Sequence, residues 1–157
     1  MRKLKSQIIE FLEQPEFTKK LNTIHEFPTQ KSVNILISLL CSTDKSTKEN
    51  AIIALGELVA KIAENDIESA RTIMRRLTWS LNEESGWIGW GSSEAMAEIM
   101  TRNNQLADEY HKFLISYISE GENYLLFEEL RKEVIFGLKR LSHVRPDLVK
   151  EVKHLIV

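Results

Sequence analysis

The sequence predicts an all-α protein, a right-handed α-α superhelix of about four antiparallel helix pairs plus a terminal helix. Two observations lead to this fold class. Apolar residues recur at helical spacing along nearly the whole chain, and no run alternates strictly enough to predict a strand. Equivalent positions also recur about every 41 residues, as Val33, Met74 and Ile115 do, and repeats of this length are typical of solenoids.

The individual helices follow from apolar periodicity and from helix start signals. Ser46–Glu49 has the pattern of a capping box, Asp66 is placed as an N-cap, and Pro146 suits a first turn. Because each signal precedes an apolar-periodic segment, it marks where that helix should begin. We predict helices near residues 3–13, 16–25, 30–41, 46–64, 67–82, 92–103, 106–119, 125–143 and 146–156.

Neighbouring helices should form antiparallel pairs, because their connections, such as Ser42–Lys45 and Gly121–Tyr124, are short. The second helix of each pair carries a small residue, at Ala54, Ala95 and Gly137, where close helix approach leaves little room for a side chain. A single pair cannot bury its apolar face, so the pairs should stack. We expect one domain over residues 1–157, with a capping pair at 1–25, repeats at 28–145 and a capping helix at 146–157. The expected core residues are Leu36, Leu55, Leu77, Ile99, Ile118 and Leu138.

Composition places the chain among folded proteins without a membrane span. It is 43% hydrophobic and 28% charged, and its net charge of −2 provides no global basic field for nucleic acid. No stretch approaches the length of apolar chain that crosses a bilayer, and no signal-peptide pattern is complete, so we expect a cytoplasmic protein. The single cysteine, Cys41, follows an apolar run and is predicted to be a buried structural thiol.

The second-helix pattern Glu49–Leu58, echoed in Glu94–Ile99, carries a family resemblance. With these motifs the chain resembles HEAT-repeat proteins, of the short bacterial or archaeal kind related to the phycobilin-lyase-like HEAT repeats, over residues 28–145. The resemblance implies a scaffold that binds other proteins. It does not extend to the di-iron HEAT hydroxylases, whose paired His-Glu motifs are represented here by His25-Glu26 alone.

One segment, Trp79–Gly91, departs from the repeat pattern, because it contains all three tryptophans and half of the glycines. Two interpretations stay open. The tryptophans Trp79, Trp87 and Trp90 could fill the ridge between helix pairs, or they could anchor a basic or proline-containing peptide or a cationic ligand. We expect the glycines to supply positive φ or close backbone approach, and Gly91 or Ser92 to cap the next helix. The predicted partner-binding residues are Glu83, Glu84, Gly86, Trp87, Gly89, Trp90, Gly91 and Glu94.

Other candidate chemistry is sparse. The histidines lie on different predicted helices, and only Asp108 and His111 have the i, i+3 spacing of a helical ligand pair, so we predict neither a metal site nor a cofactor. Arg71, Arg75 and Arg76 form a basic patch that we expect to be a solvated face. No phosphate loop or nucleophile motif is present, so no catalytic residues are predicted.

The sequence therefore predicts a non-catalytic interaction or scaffold module that binds a protein or peptide partner through the Trp/Gly turn and the second-helix face. We do not expect a nucleic-acid or membrane partner, and the oligomeric state stays open. The alternative is a HEAT-like DNA-binding or DNA-repair protein, similar to the alkylpurine glycosylases, for which Trp87, Trp90, Glu94 and Arg102 are compatible residue types without a matching spacing. A small-ligand-binding protein is a further alternative.

Overall fold

The computed structural model describes residues 2–82 and 89–157, and within these ranges it contains helices, turns and loops but no strand. The all-α prediction is thereby confirmed. The helices are α1 (Arg2–Glu13), an N-terminal 3₁₀ helix (Phe17–Glu26), α2 (Thr29–Leu39), α3 (Lys45–Asn65), α4 (Ile67–Ser80), α5 (Ser92–Arg102), α6 (Asn104–Ser116), α7 (Glu128–Ser142), a C-terminal 3₁₀ helix (Pro146–Val152) and α8 (Lys153–Ile156). Four predicted site residues, Glu83, Glu84, Gly86 and Trp87, lie outside the described residues.

Two predicted helices have a different type from the one expected. Residues 16–25 form the N-terminal 3₁₀ helix, preceded by Glu16 at a φ of 57°, and residues 146–156 divide into the C-terminal 3₁₀ helix and α8. In the first of these, Phe17, Leu21 and Ile24 are buried. Apolar spacings of four and three residues suit either helix type over so short a segment, so the sequence pattern could not separate them.

The start of α3 is capped by a different residue from the one predicted. Asp44 is the N-cap, and its carboxylate accepts hydrogen bonds from the Thr47 backbone N–H at 3.1 Å and from the Thr47 hydroxyl at 2.5 Å. The predicted capping box at Ser46–Glu49 is therefore wrong, because the helix has already begun at Lys45. The predicted cap of α4 is confirmed, since Asp66 accepts from the Ser69 backbone N–H at 3.2 Å.

The core lies around a row of second helices, α3, α5 and α7. The contacts of α5 with α3 and with α7 are the most extensive in the fold, while α2 and α4 pack on α3, and α4 and α6 pack on α5. The six predicted core residues, Leu36, Leu55, Leu77, Ile99, Ile118 and Leu138, are all buried. Burial of one apolar stripe per helix holds the row together.

Glycines permit the closest approaches within this row. A Cβ at Gly56 would lie 2.5 Å from the Glu98 Cγ, and a Cβ at Gly137 would lie 3.2 Å from both the Ala97 Cβ and the Ser93 carbonyl oxygen. Glycine therefore gives the closest fit where α3 and α7 meet α5, since a Cβ would force its neighbours to shift. The predicted small positions Ala54 and Ala95 are likewise fully buried.

The cysteine prediction is wrong, because Cys41 is exposed. Helix α2 ends at Leu39, so the chain turns before Cys41 can extend its apolar face, and the Cys41 Sγ donates to the Ser38 carbonyl oxygen at 3.3 Å instead. In the described part of the chain, no helix combines the length and apolar character needed to cross a bilayer.

Candidate functional site

Trp79 stands near the end of α4 with 53% of its surface exposed, between two grooves. The larger, which we call the aromatic groove, has a volume of about 650 Å³ and lies between α4, α6 and the segment that follows α6. Its aromatic lining consists of Trp79, Tyr110, Phe113, Tyr117 and Tyr124. An open groove of this size with several rings offers a large apolar contact area to a partner.

The rings of the aromatic groove differ in depth. Tyr110 and Tyr117 are buried and form its floor, whereas Phe113 is 41% exposed at the rim and lies 5.6 Å from the Tyr110 ring between centroids. Burial raises the pKa of Tyr117 to about 12 and also raises the pKa of Tyr110. Both phenols therefore stay protonated at neutral pH and remain hydrogen-bond donors.

The wall formed by the segment after α6 is fixed by backbone contacts. The Leu125 N–H donates to the Tyr117 carbonyl oxygen at 3.0 Å, which closes this segment into a loop. Arg131 donates from Nη1 to the carbonyl oxygens of Leu125 and Leu126 at 2.6 and 3.0 Å, and its guanidinium carbon lies 4.7 Å from the centroid of the Tyr124 ring. Tyr124 is thus held against the groove by a cation–π contact.

The second groove, about 340 Å³ in volume, lies on the other side of Trp79 and is also lined by Trp90. Its floor includes Ile37 of α2, and Arg76 of α4 donates from Nη1 to the Asn34 Oδ1 at 2.5 Å across it. Trp90 is partly buried and packs edge-to-face on Phe127 with ring centroids 5.5 Å apart. Trp79 and Trp90 therefore share one surface. We use the name tryptophan surface for these two residues and the two grooves that they line.

Gly89 and Gly91 have the roles that the sequence predicts for them. Their φ values are 78° and 76°, in the left-handed region that favours glycine. A Cβ would lie 2.6 Å from the Ser80 carbonyl oxygen at Gly89 and 2.8 Å from the Leu40 carbonyl oxygen at Gly91. Gly91 is also the N-cap of α5, as predicted. These positions set the path by which the chain enters α5 beside the tryptophan surface.

Glu94 lies in different surroundings from the tryptophans. Burial raises the pKa of the Glu94 carboxyl above its ordinary value, and Glu133 raises it further, whereas Lys48 and Arg140 act in the opposite direction. These neighbours belong to α3 and α7 and line neither groove beside Trp79. Of the described site residues, Trp90 lines a groove beside Trp79, whereas Gly91, whose N–H donates to Glu133, lies with Glu94 at the row of second helices.

The charged side chains of that row pair with one another across helices. Lys48 of α3 binds Glu133 of α7 at 2.5 Å, and Glu133 also accepts from the Gly91 backbone N–H at 2.8 Å. Arg140 of α7 pairs with Glu49 of α3. Both pairs join the helices that flank α5, so they tie the row together.

A second set of ion pairs continues along the same helices. Glu98 of α5 lies 3.5 Å from the Arg140 Nη1 and accepts from the Arg102 Nε at 2.7 Å. Arg102 in turn lies 3.4 Å from Glu57, which contacts the His25 Nε2 at 3.0 Å. We call the charged members of this set the ion-pair row, and they are Lys48, Glu49, Glu57, Glu98, Arg102, Glu133 and Arg140. Sequence reasoning missed it, and the only local signal was the i, i+4 spacing of Glu98 and Arg102.

The remaining candidates are engaged within the chain. Arg71 of the predicted basic patch binds Glu109 through Nε and Nη2 at 2.9 and 2.6 Å, and it also binds Glu68 at 2.6 Å. The His111 Nδ1 lies 2.8 Å from the Ala107 carbonyl oxygen. Within residues 2–82 and 89–157, no group of three or more histidines, cysteines and carboxylates is placed to hold a metal ion.

Fold and surfaces together define an all-α protein that carries an aromatic surface beside a row of paired charges. Comparison of the chain with protein-family models, with curated proteins and with solved structures finds no match. The resemblance to HEAT-repeat proteins accordingly stays a prediction. For the DNA-repair alternative, Arg102 is occupied by Glu98 and Glu57, and Trp87 lies outside the described residues.

Proposed function

We propose that this chain is a non-catalytic interaction or scaffold module that binds a protein or peptide partner through the tryptophan surface. The observation that carries the proposal is the position of Trp79, half exposed between two grooves, one of which it lines together with the exposed Phe113. Exposed aromatic surface is costly in water and contributes most to binding when a partner covers it. Trp90 adds a second, partly buried ring to the same surface.

The ion-pair row is part of this proposal as a second contact surface. Its charges are paired within the chain, and the members that keep exposed surface, Glu49 and Arg102, orient an approaching polypeptide more than they add affinity. As a finer description of the fold, we propose that these helices are the inner layer of a right-handed, HEAT-like superhelix in the cytoplasm. The repeat of about 41 residues and the packing of α5 between α3 and α7 support this arrangement.

The proposal is tested by Trp79→Ala, with Phe136→Ala as a matched control. Phe136 is an aromatic residue on α7 that is 57% exposed and lines neither groove. The wild type and each variant are used to capture proteins from a lysate of the cells in which this protein naturally occurs. The proteins captured by each are compared, and the enriched partner is then purified for calorimetry. Removal of a hot-spot anchor costs about 2 kcal/mol, so we expect roughly thirty-fold weaker binding for Trp79→Ala.

Phe136→Ala should bind the purified partner like the wild type, and both variants should melt within a few degrees of it. A Trp79→Ala variant that binds with unchanged affinity would show that the tryptophan surface is not the contact. A variant that loses binding because it unfolds would be recognised by its melting curve, and Trp79→Phe then serves as a milder test of the same contact.

A further inference from the structure

A pocket of about 580 Å³ lies at the C-terminal end of the chain, away from the tryptophan surface. It is formed by the end of α7, the C-terminal 3₁₀ helix and α8. Its apolar lining includes Val149 and Ile156, which are both buried, together with Pro146. The pocket is therefore a concave site with an apolar floor, and its volume lies in the range of small-molecule sites rather than of protein interfaces.

The charged groups around this pocket are mostly positive. Lys139, Lys150 and Lys153 line it, and of the described lining residues only Asp147 is acidic. Among the described residues, no carboxylate lies within ion-pair distance of any of the three ammonium groups, whereas most other charged side chains of the second helices are paired. Three lysines against one aspartate around an apolar floor give an excess of positive charge, to which an anion is complementary.

The three lysines differ in the contacts that they make within the chain. Lys139 belongs to the last turn of α7, where a positive charge also complements the helix dipole, and its Nζ lies 5.8 Å from the centroid of the Phe136 ring. Lys150 belongs to the last turn of the C-terminal 3₁₀ helix and Lys153 to α8, and neither ammonium group has a carboxylate partner or a ring contact among the described residues. Both side chains are exposed where they line the pocket.

We propose that this C-terminal pocket binds a small amphiphilic anion, with a carboxylate or phosphate head between Lys150 and Lys153 and an apolar body on Val149 and Ile156. The apolar floor favours a hydrocarbon body over a free inorganic ion, and the lysine rim favours a negative head over a neutral or cationic one. This site is independent of the partner surface at Trp79.

The test measures binding of four probes to the full chain by calorimetry and by ¹H–¹⁵N chemical shifts: octanoate, octyl phosphate, octylamine and acetate. We expect octanoate, octyl phosphate or both to bind with a dissociation constant on the order of 1 mM or below. Shifts should be confined to the region of His143, Lys150 and Lys153. Acetate lacks the apolar body and octylamine has the opposite charge, so neither should bind.

The double variant Lys150→Gln/Lys153→Gln should weaken binding of the anionic probe by about tenfold or more. Its matched control is Lys5→Gln/Lys31→Gln, which removes two exposed charges from α1 and α2 and should leave binding unchanged. Stronger binding of octyl phosphate identifies a phosphate head, and stronger binding of octanoate a carboxylate. Equal binding of octylamine, equal loss in both double variants, or no binding of either anion would overturn the proposal.

Discussion

The tryptophan surface and the ion-pair row differ in how many of their side-chain interactions are made within the chain. Along α3, α5 and α7, Glu98 and Glu133 each contact more than one donor, and the pairs link helices that are distant in sequence. At the tryptophan surface, Trp79 and Phe113 instead leave ring surface in water. The charges of the ion-pair row are thus largely paired within the chain, whereas the tryptophan surface leaves aromatic rings in contact with water.

This difference predicts which region contributes mainly to stability and which contributes mainly to binding. A charge that is already paired contributes to holding helices in register, and removing its partner leaves a desolvated charge behind. An exposed ring adds little to folding and much to association. Variants in the two regions should therefore affect melting and binding in opposite proportions.

The largest expected effect is the loss of stability in Leu55→Ala, which is the buried counterpart of Trp79→Ala. Leu55 is fully buried on α3, so truncation removes its apolar contacts and leaves a cavity, at a cost of about 2–5 kcal/mol. Chemical denaturation of both variants checks the comparison. Should Trp79→Ala lose as much stability as Leu55→Ala, Trp79 would be a structural residue and the contrast between the two regions would fail.

Next in size is Glu98→Ala, which removes the carboxylate shared by Arg102 and Arg140. The Arg140 Nη1 is buried without a hydrogen bond and has Glu98 as a counter-charge at 3.5 Å, so removal of this carboxylate should cost about 2–3 kcal/mol in the free energy of unfolding. Glu64→Ala is the matched control, since Glu64 pairs with Lys61 on an exposed surface and its loss should cost less than about 1 kcal/mol. Equal denaturation midpoints for the two variants would contradict the structural role of the ion-pair row.

The smallest effect is expected for Glu94→Gln, and it depends on pH. A carboxyl whose pKa is raised on folding binds its proton more tightly in the folded protein than in the unfolded chain. Its contribution to stability is therefore present at low pH, and it falls as the pH rises from the ordinary pKa of 4.5 through the raised pKa. The variant keeps the uncharged state at every pH. It should therefore be slightly more stable than the wild type at pH 7 and equal to it below pH 4.5, as measured by melting across this range. A constant difference at every pH would show that burial of the Glu94 charge is not its origin.

Several residues of the candidate surface could be predicted from the sequence, but which of them lie together in the fold could not. The concentration of tryptophan and glycine between Trp79 and Gly91 marked the entry to α5, where Gly89 and Gly91 do have positive φ. Glu94 was grouped with these residues because it is near them in sequence. On α5, however, its charged neighbours come from the flanking helices α3 and α7, so chain proximity was a poor guide to its surroundings.

The sequence by itself determined where most helices lie and most of their buried positions, because apolar residues at helical spacing face the core whatever the neighbouring element is. The six predicted core residues show this, and so does the Asp66 cap, which depends only on residues within one turn. The Asp44 cap of α3 is equally local, since it contacts Thr47, and a search for N-caps could have found it, whereas the exposure of Cys41 depends on where α2 ends. The tertiary structure alone decided the ion-pair row, because Lys48 and Glu133 are 85 residues apart and Arg140 and Glu49 are 91 apart. Such pairs depend on how helices are placed and rotated against one another, and that placement is set by the packing of the whole core.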